Sequence, residues 1–563
     1  MRAWQYSIAI AVLAFEAGGV VLAGDAAVGG RLVEELPTLK CLGVRWYVGG
    51  DDNADARVQV EYRKAAGGEW RRGLDLFRVE TEAIRAPNRP AAGEAMFAGS
   101  VLGLEEGTEY EVRLSLVDPD GGGERRVVRM RTWSEPKRPA DGRKVAVRPG
   151  GLAEALKQAR PGDTLLLHEG TYTGTFRCPS GVPGRPVVLA GAGDGEAVLD
   201  GNAASNVIDG GNAHDVMIEG LTFQNARWAL AFNGGANITV RRCVVRKAEY
   251  AFVAQNRSPR QRRILLADNT FTGRSTWPRT KGIKAGRGVQ ISGTGHVVCH
   301  NLIRGYADAI DTFSDYPCAA IDFHNNEIGE CTDDGIEMDY SEHNTRCFEN
   351  RLTNVFQGIS IQPIHGGPVY VFRNAMYNVA RETFKMHNHP SGGVFFHNTS
   401  VKAGMPLVLY TGESVRRCVM RNNLFIGTAG NYAYETTAPM RECDFDYDGF
   451  GGSWKQFLKW NRQRYKTMAD AARAAPVYRH AVRVDPATVF ASGARAPAAA
   501  STQYATEVND LRLREGTAAV DAGAVLANVN DGFGGKAPDL GAYELGARLP
   551  GYGPRQTDRS APH

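Results

Sequence analysis

Apolar and polar residues alternate along most of the chain, which indicates strands rather than helices. Over the central part, an Asn followed by apolar residues returns at a nearly constant interval. These residues are Asn301, Asn326, Asn350, Asn374, Asn398 and Asn423, at intervals of 25, 24, 24, 24 and 25 residues, after which the period fades. A fixed period in the twenties without helical periodicity predicts a solenoid of stacked strand coils. Residues one repeat apart are then expected about 4.8 Å from each other, so the period predicts which side chains share a surface.

A second repeating pattern lies between the Asn residues, as in ADAIDTF, DDGIEMD and FQGISIQ. The apolar residue after Ala or Gly is expected to point into the core, and alternation directs its neighbours outward. The predicted core stack is Val289, Ile310, Ile336, Ile359, Phe384 and Leu407. Three outward columns follow: first Arg287, Asp308, Asp334, Gln357 and Glu382; second Gln290, Asp311, Glu337, Ser360 and Lys385; third Ser292, Phe313, Asp339, Gln362, His387 and Tyr410.

Three further alternating segments, LGVRWYV, ARVQVEYRK and YEVRLSLVD, predict a separate first domain over residues 30–133. The run LEEGTEYEV around Tyr110 resembles the tyrosine corner of fibronectin type III domains, in which the Tyr hydroxyl bonds back to the backbone. Trp46 is expected to be the buried Trp of an early strand. The resemblance implies a β-sandwich, acting as a structural spacer or as a module that binds carbohydrate or another partner.

The second domain begins after a polar linker with two Pro at residues 134–143. An apolar stripe that includes Leu152 and Leu156 predicts a short helix, which can cover the open end of a stacked coil. The passage from this helix through PGD to HEGTY resembles the entry to right-handed parallel β-helix proteins of secreted, pectate-lyase-like families that act on polysaccharides. That resemblance implies a β-helix over residues 144–430.

The remaining chain is divided by its composition and patterning. Residues 431–548 are expected to form a C-terminal extension and a terminal β-helix segment. Within them, the apolar residues of 451–468 predict a helical insertion. Residues 549–563 are expected to be a tail.

The start of the chain and its cysteines indicate the compartment. Arg2 followed by an apolar stretch predicts a signal peptide at residues 1–23, and hence a secreted or periplasmic protein. No later apolar run is long enough for a membrane span, so no membrane association is expected after signal removal. The nine cysteines include no CxxC pair, which argues against zinc and thioredoxin-type sites. Cys318 and Cys331 are the best candidates for a disulfide.

The charge balance restricts the possible partners. The chain has 66 basic and 62 acidic residues in 563, a net charge of +4. This near balance gives no argument for nucleic acid as a partner. A monomer is expected.

The outward columns concentrate five carboxylates on two adjacent predicted turns: Asp308, Asp311, Asp334, Glu337 and Asp339. Like charges opposed on a sheet are destabilising, so such a cluster is typical of an active site or a cation site. A face kept polar for solubility alone is the alternative, but such a face would more often interleave Lys with Glu.

Glycoside hydrolysis is the first chemistry that fits, with Asp311, Asp334, Glu337 and Asp339 supplying acid and base. Strand geometry predicts about 5 Å from Asp311 to Glu337 and about 8 Å from Asp311 to Asp339, the latter in the inverting range. The placement resembles that in β-helix glycosidases of families 28 and 110. The Gly-His-Gly and Arg-x-Lys motifs of family 28 are absent at the matching turns.

Cation-assisted abstraction of a sugar C5 proton is the second chemistry, as in polysaccharide lyases and C5-epimerases. Ca²⁺ would then be held by Asp334, Glu337 and Asp339, and Lys385, His387 or Tyr410 would take the proton. The architecture resembles polysaccharide lyase family 6, which places a Lys shortly after its acidic ligands. That stretch is YSEHN here and contains no Lys.

The sequence thus predicts an all-β protein, a fibronectin-III-like β-sandwich followed by a right-handed parallel β-helix, that acts on a polysaccharide. A glycoside hydrolase without a required cofactor is favoured. A Ca²⁺-dependent lyase or epimerase acting on a uronic-acid glycan and a non-catalytic glycan-binding surface protein are the alternatives. The predicted substrate-binding residues are Asp308, Gln362, Lys385, His387, His365 and Tyr410.

Overall fold

The computed structural model describes residues 24–81, 94–255, 261–279, 286–312, 318–410, 412–436 and 438–556. The predicted signal peptide, Phe313 of the third column, the side chain of Tyr410 and residues 557–563 of the predicted tail lie outside this part. Strands dominate. The helices of the described residues are Leu152–Gln158, Met468–Ala474 and the 3₁₀ helix Thr506–Asn509.

Two four-stranded antiparallel sheets precede the solenoid. One sheet contains Val28–Glu34, Leu42–Gly49, Ala95–Val101 and Phe77–Val79, and the other Arg71–Arg72, Arg57–Lys64, Glu109–Val117 and Gly123–Arg131. Trp46 is buried in their common core, and the Glu105 N–H donates to the Tyr110 hydroxyl at 3.0 Å, as predicted. The small antiparallel sheets are therefore observed, while membership of the fibronectin type III family stays a prediction.

Parallel strands then form a β-helix of about twelve turns, which confirms the predicted fold class. The first long sheet contains Lys144–Val147, Thr164–Leu167, Val187–Gly191, His214–Glu219, Ala236–Arg241, Arg262–Ala267, Gly293–Thr294, Val297–Cys299, Cys318–Ala319, Asp322–His324, Thr345–Phe348, Val369–Phe372, Gly393–Phe396, Val419–Arg421 and Asp444–Asp446. The second long sheet contains Gly170–Thr173, Phe176–Arg177, Ala197–Asp209, Thr222–Ala231, Val244–Ala254, Thr270–Thr272, Arg287–Ile291, Leu302–Arg304, Asp308–Thr312, Glu327–Glu337, Arg351–Ser360, Ala375–Val379, Phe384–Lys385, Thr399–Val401, Leu409–Tyr410, Leu424–Glu435, Gly449–Trp460, Gln463–Tyr465 and Val482–Arg483. Val415–Arg416 and Met440–Arg441 form a separate two-stranded pair.

The predicted helix Leu152–Gln158 covers the first turn and buries Leu152 and Leu156 against the core. No helix in the described ranges combines the length and the apolarity that crossing a membrane requires.

Inside the β-helix, the repeated Asn residues form a ladder of amide hydrogen bonds, and all six are fully buried. Asn350 is typical. Its side-chain oxygen accepts from the backbone N–H of Asn326 at 3.1 Å and from the side-chain amide of Asn326 at 2.9 Å. Its own amide donates to Phe323 O at 2.9 Å. Because each amide bonds to the next turn, the ladder stabilises the stacking of turns as well as each corner.

The ladder is longer than the sequence pattern indicated. It begins at Asn269, which accepts from Cys243 N and donates to Asn301. It ends at Asp448, whose carboxylate accepts both donors of Asn423 at 2.8 and 2.9 Å. The expectation that the period fades after Asn423 is therefore wrong, because Asp448 takes the next Asn position.

The helical insertion predicted at residues 451–468 is also wrong. The segment forms the strands Gly449–Trp460 and Gln463–Tyr465, and the helix Met468–Ala474 begins where the insertion was expected to end. Phe457 and Leu458 are consecutive and both fully buried, so the strand turns a corner at this point. A strand that turns a corner imitates the apolar spacing of a helix.

No disulfide forms among the nine cysteines, all of which lie in described ranges, so the predicted pairing of Cys318 with Cys331 is not observed. Cys331 lies inside the strand Glu327–Glu337, with its thiol 3.6 Å from Gly329 O. Burial raises the pKa of this thiol well above its ordinary value.

A buried polar interface joins the first domain to the first long sheet. Arg346 is fully buried, pairs with Asp322 at 2.5 Å and donates to Ser100 Oγ of the first domain at 2.9 Å. Glu35 of the first domain lies 2.8 Å from His343 Nε2. Burial disfavours the charge on Glu35, but the charges of His343 and Arg45 and the hydrogen bonds from His343 and Asn344 together outweigh it and lower the pKa of Glu35 to about 2. The interface residues lie on the side of the first long sheet, so they do not cover the outward face of the second long sheet.

Candidate active site

The acidic columns lie on consecutive strands of the second long sheet. The register pairs are Arg287 with Asp308, Gln290 with Asp311, Asp311 with Glu337, Asp334 with Gln357, Glu337 with Ser360, and Ser360 with Lys385. The first two predicted columns therefore stack in these turns as the period indicated, about one strand spacing of 4.8 Å per step.

Asp334 and Glu337 face the same side because the strand turns a corner between them. Gly335 and Ile336 are both buried in the core. A Cβ on Gly335 would lie 2.5 Å from Leu352 Cδ2 and 2.8 Å from Gly358 O, so this corner accepts only glycine. The repeated Ala or Gly of the sequence pattern thus brings two acidic columns onto one face.

The predicted columns are wrong at the last turn. Leu409 rather than Leu407 pairs with Phe384, and Tyr410 pairs with Lys385, so Tyr410 belongs to the second column. Leu407 is buried but pairs with Tyr434. The prediction assumed 23 residues for this turn, whereas the register requires 25.

Arg287 joins the two acidic columns. Its guanidinium lies 2.6 Å from Asp311 Oδ2 and 3.3 Å from Asp308 Oδ2. Gln290 also donates to Asp311 at 2.5 Å. Burial nevertheless dominates, and it raises the pKa of Asp308 to about 6 and that of Asp311 to about 7.

Lys385 is the second cation of the cluster. Its Nζ donates to Asp334 Oδ2 at 2.7 Å, and its side chain is 11% exposed. Burial raises the pKa of Asp334 well above its ordinary value although Lys385 opposes the shift. Asp334, Asp339 and Glu337 raise the pKa of Lys385 against the effect of its own burial. The ammonium therefore keeps its proton.

Asp339 is held by donors from the next turn. Ser360 Oγ donates to its Oδ1 at 2.6 Å and Gln362 N at 2.5 Å. Its side chain also hydrogen-bonds to that of Glu337. Burial raises its pKa, while Lys385 and these hydrogen bonds oppose the shift.

Glu337 differs from the other four carboxylates. Its residue is partly exposed, whereas Asp308, Asp311, Asp334 and Asp339 are buried. Burial of its carboxyl group and repulsion from all four aspartates raise its pKa well above the ordinary value. Glu337 therefore retains its proton at a pH where an ordinary Glu is ionised.

The remaining predicted binding residues with described side chains are Gln362, His365 and His387. Gln362 contacts Asp339 through its backbone, as described. His387 Nε2 lies 3.1 Å from Glu413, and the ring of His365 lies 6.2 Å from that of Tyr340. The structure thus brings Gln362 and Lys385 into the acidic cluster and places the two histidines beside other partners.

Carboxylate oxygens of Asp308, Asp333 and Asp334 converge within 4.8 Å of one another, which could hold a metal ion. This set shares only Asp334 with the predicted Ca²⁺ ligands. Arg287 and Lys385 already lie against two of the three carboxylates, so a bound cation would have to displace them or tolerate their charge.

The predicted site omitted Arg287, Gln290 and Asp333. The first two occupy the predicted columns one turn before Asp308 and Asp311, so their position was available from the period. Asp333 lies outside the predicted columns, and in the sequence only its position beside Asp334 points to it.

Comparison with known proteins agrees with the fold. Residues 206–362 match the family described as right handed beta helix region. No curated protein matches the chain in sequence.

Three solved structures align with the chain at low identity. An alginate lyase from Paenibacillus sp. is 15% identical over 49% of this chain and 95% of its own, with a TM-score of 0.31. The family 28 exopolygalacturonase of Yersinia enterocolitica is 11% identical over 79% and 97%, with a TM-score of 0.23. The catalytic domain of a GH87 α-1,3-glucanase is 11% identical over 74% and 93%, with a TM-score of 0.26.

Proposed function

We propose that this protein is an exported glycoside hydrolase that degrades a polysaccharide, with Glu337 as general acid and Asp311 as base or nucleophile. One observation carries the proposal. Asp311 and Glu337 are direct register neighbours on adjacent turns, yet Arg287 lies 2.6 Å from Asp311 whereas the dominant charges around Glu337 are all negative.

The unequal surroundings assign the two roles. Two carboxyl groups whose pKa values are pushed apart can act as acid and base at the same pH. Asp311, with a cation and an amide donor, ionises before Glu337, which keeps the proton that a leaving group needs. Their backbones are one strand spacing, roughly 4.8 Å, apart. Because side chains in register project to the same face, we expect their carboxyl groups near the separation of about 5 Å typical of retaining enzymes.

The neighbouring groups support these roles. Asp339 hydrogen-bonds to Glu337 and is fixed by Ser360 and Gln362, so it orients the acid. Lys385 is engaged by Asp334 and keeps its proton, which makes it a poor base for C5 proton abstraction.

The proposal is tested by assaying the full chain on a panel of neutral and uronic-acid glycans for reducing ends and for ultraviolet-absorbing unsaturated products. Reducing ends without absorbance are expected, and both Glu337→Gln and Asp311→Asn should abolish their release. Glu435→Gln is the matched control, because Glu435 pairs with Lys459 on a later turn of the same sheet. Full turnover by both site variants would overturn the assignment. Glycan binding without turnover would indicate a binding protein.

A Ca²⁺-dependent lyase or epimerase is the second candidate, favoured by the three converging carboxylates and by Asp334 Oδ1, which lacks a hydrogen-bond partner among the described residues. Asp308, Asp333 and Asp334 would hold the ion, which would neutralise a substrate uronate. This candidate predicts activity that chelators remove and Ca²⁺ restores. A lyase would also yield a product absorbing in the ultraviolet.

A further inference from the structure

The first outward column continues beyond Arg287, toward the start of the β-helix, as two aromatic residues. Tyr250 pairs in register with Arg287, and Trp228 pairs with Tyr250. Asp308 is the next residue of the column on the other side of Arg287. Trp228 therefore lies three strand spacings, roughly 14 Å, from Asp308 on the same face.

Trp228 and Tyr250 point away from the core. Both are partly exposed, while Ala229 and Leu230, which follow Trp228, are fully buried. The two rings lie edge to face, with centroids 6.4 Å apart and planes at 89°. Partly exposed rings on a sheet face offer a surface for the apolar C–H faces of sugar rings.

A polar cavity of about 520 Å³ lies beside the strands that carry this aromatic pair. Its lining includes Arg227 and Glu249, the residues directly before Trp228 and Tyr250, together with Asp200, Asn225 and Arg274. The volume lies in the range of about 300–1,000 Å³ that is usual for small-ligand sites. Carboxylate, amide and guanidinium groups are suited to the hydroxyls of a sugar.

The groups within the cavity are already ordered. Asn225 donates to Asp200 at 2.7 Å, and Arg227 lies 3.6 Å from Glu249. Arg274 donates to the Lys247 carbonyl at 2.9 Å. A ligand would therefore meet fixed donors and acceptors, which lowers the entropic cost of binding.

We infer that Trp228, Tyr250 and the adjoining cavity bind sugar units of the same glycan chain whose linkage reacts at Asp311 and Glu337. The inference rests on the proposed function, because it takes the ligand to be a polysaccharide laid along the column. It adds that the substrate is a chain long enough to reach from Glu337 to Trp228, so the enzyme prefers polymers to short oligosaccharides.

The test compares Trp228→Ala, Tyr250→Ala and the double variant on a polymer and on a length series of its oligosaccharides. The double variant is expected to raise KM for the polymer about tenfold or more, because it loses one or two stacked contacts. Its kcat should be nearly unchanged. Oligosaccharides too short to reach the pair should be unaffected. Trp228→Phe should retain most of the affinity. Trp70→Ala is the matched control, because Trp70 is a partly exposed Trp of the first domain beneath Arg63 and Arg113.

Binding measured in the Glu337→Gln background separates this inference from the proposed function. If the polymer binds through Trp228 but the wild-type protein never cleaves it, the aromatic glycan-binding site stands and the hydrolase proposal fails. If the double variant binds and degrades the polymer like the wild type, the inference is overturned while the proposed function stands. A wild-type protein that binds no glycan of the panel would overturn both.

Discussion

Two sets of polar residues follow the same period through this β-helix, and they differ in charge and in hydrogen bonding. The inner Asn ladder is uncharged and fully buried, and its amides bond from turn to turn. The outer cluster, from Asp308 to Asp339, is nearly as buried but holds five carboxylates against the two cations Arg287 and Lys385. The ladder therefore stabilises the stack, whereas the cluster reduces stability and provides reactive groups.

The last position of the ladder allows a carboxylate and an amide to be compared in the same surroundings. Asp448 occupies an Asn position, and its second carboxylate oxygen has no hydrogen-bond partner in the described chain. Burial raises the pKa of Asp448 to about 7. A carboxylate in the ladder thus acquires the same perturbation as the carboxylates of the cluster, and an amide in that place avoids it.

Glu337→Gln is expected to have the largest effect. Loss of a general acid lowers kcat by about 10²–10⁴-fold, whereas melting temperature should stay equal or rise, because a buried carboxyl is removed. Steady-state kinetics and thermal unfolding of the same preparation measure both. A loss of activity that parallels a loss of folded protein would contradict the assigned role.

Asn350→Ala, in the middle of the ladder, is expected to act in the opposite way. It leaves both donors of Asn326 and the Phe323 carbonyl without their partner, which costs about 3 kcal/mol or more of unfolding free energy. Urea unfolding measures this, with exposed Asn53→Ala as control. Equal midpoints for the two variants would show that the ladder does not carry stability.

Asp448→Asn tests whether the carboxylate at the end of the ladder lowers stability when it ionises. The folded-state pKa of Asp448 is raised, so wild-type stability is fullest below the ordinary Asp value and declines as pH rises through about 7. The stability gained by the variant over the wild type should therefore be larger at pH 8 than at pH 5, by on the order of 2 kcal/mol. The new amide can donate to Met420 O, the register partner of Phe395 O, which accepts from Asn423. Thermal unfolding of both proteins at pH 5 and pH 8 measures this. An equal difference in stability between variant and wild type at the two pH values would exclude titration of Asp448 as the cause.

Asp311→Asn should show the same trend with a smaller amplitude. Its raised pKa of about 7 again means stability lost between about pH 4 and pH 7. Removing the charge also removes a partner of Arg287, so the gain at pH 8 should be only about 1 kcal/mol. A melting temperature that falls at pH 8 would show that the Arg287 contact outweighs the burial of the carboxyl.

Much of this architecture follows from spacing alone. The Asn period predicts the solenoid, and the structure shows why the period exists: the inner corner of each coil requires the same residue at each turn. The Asn269 position escaped the prediction because 32 residues separate it from Asn301, and Asp448 escaped because a different side chain makes the same bonds. Register at Tyr410 was misplaced because turns differ by two residues in length, and only backbone pairing reveals which length a turn has.

The composition of the site was less predictable than its position. The columns locate Asp311 and Glu337 on one face, but not that Arg287 contacts one and leaves the other among anions. That asymmetry arises from side-chain conformations at the strand corner, which residue spacing does not encode. The contact between Lys385 and Asp334 spans two turns and depends on side-chain length in the same way.

The buried Arg346 has a consequence for the way the chain can be divided. Its bonds to Asp322 and to Ser100 tie the antiparallel sheets to the first long sheet of the β-helix. Removing that domain would leave Arg346 and its neighbours facing water, so a shortened chain that keeps only the β-helix would need new partners for these buried groups.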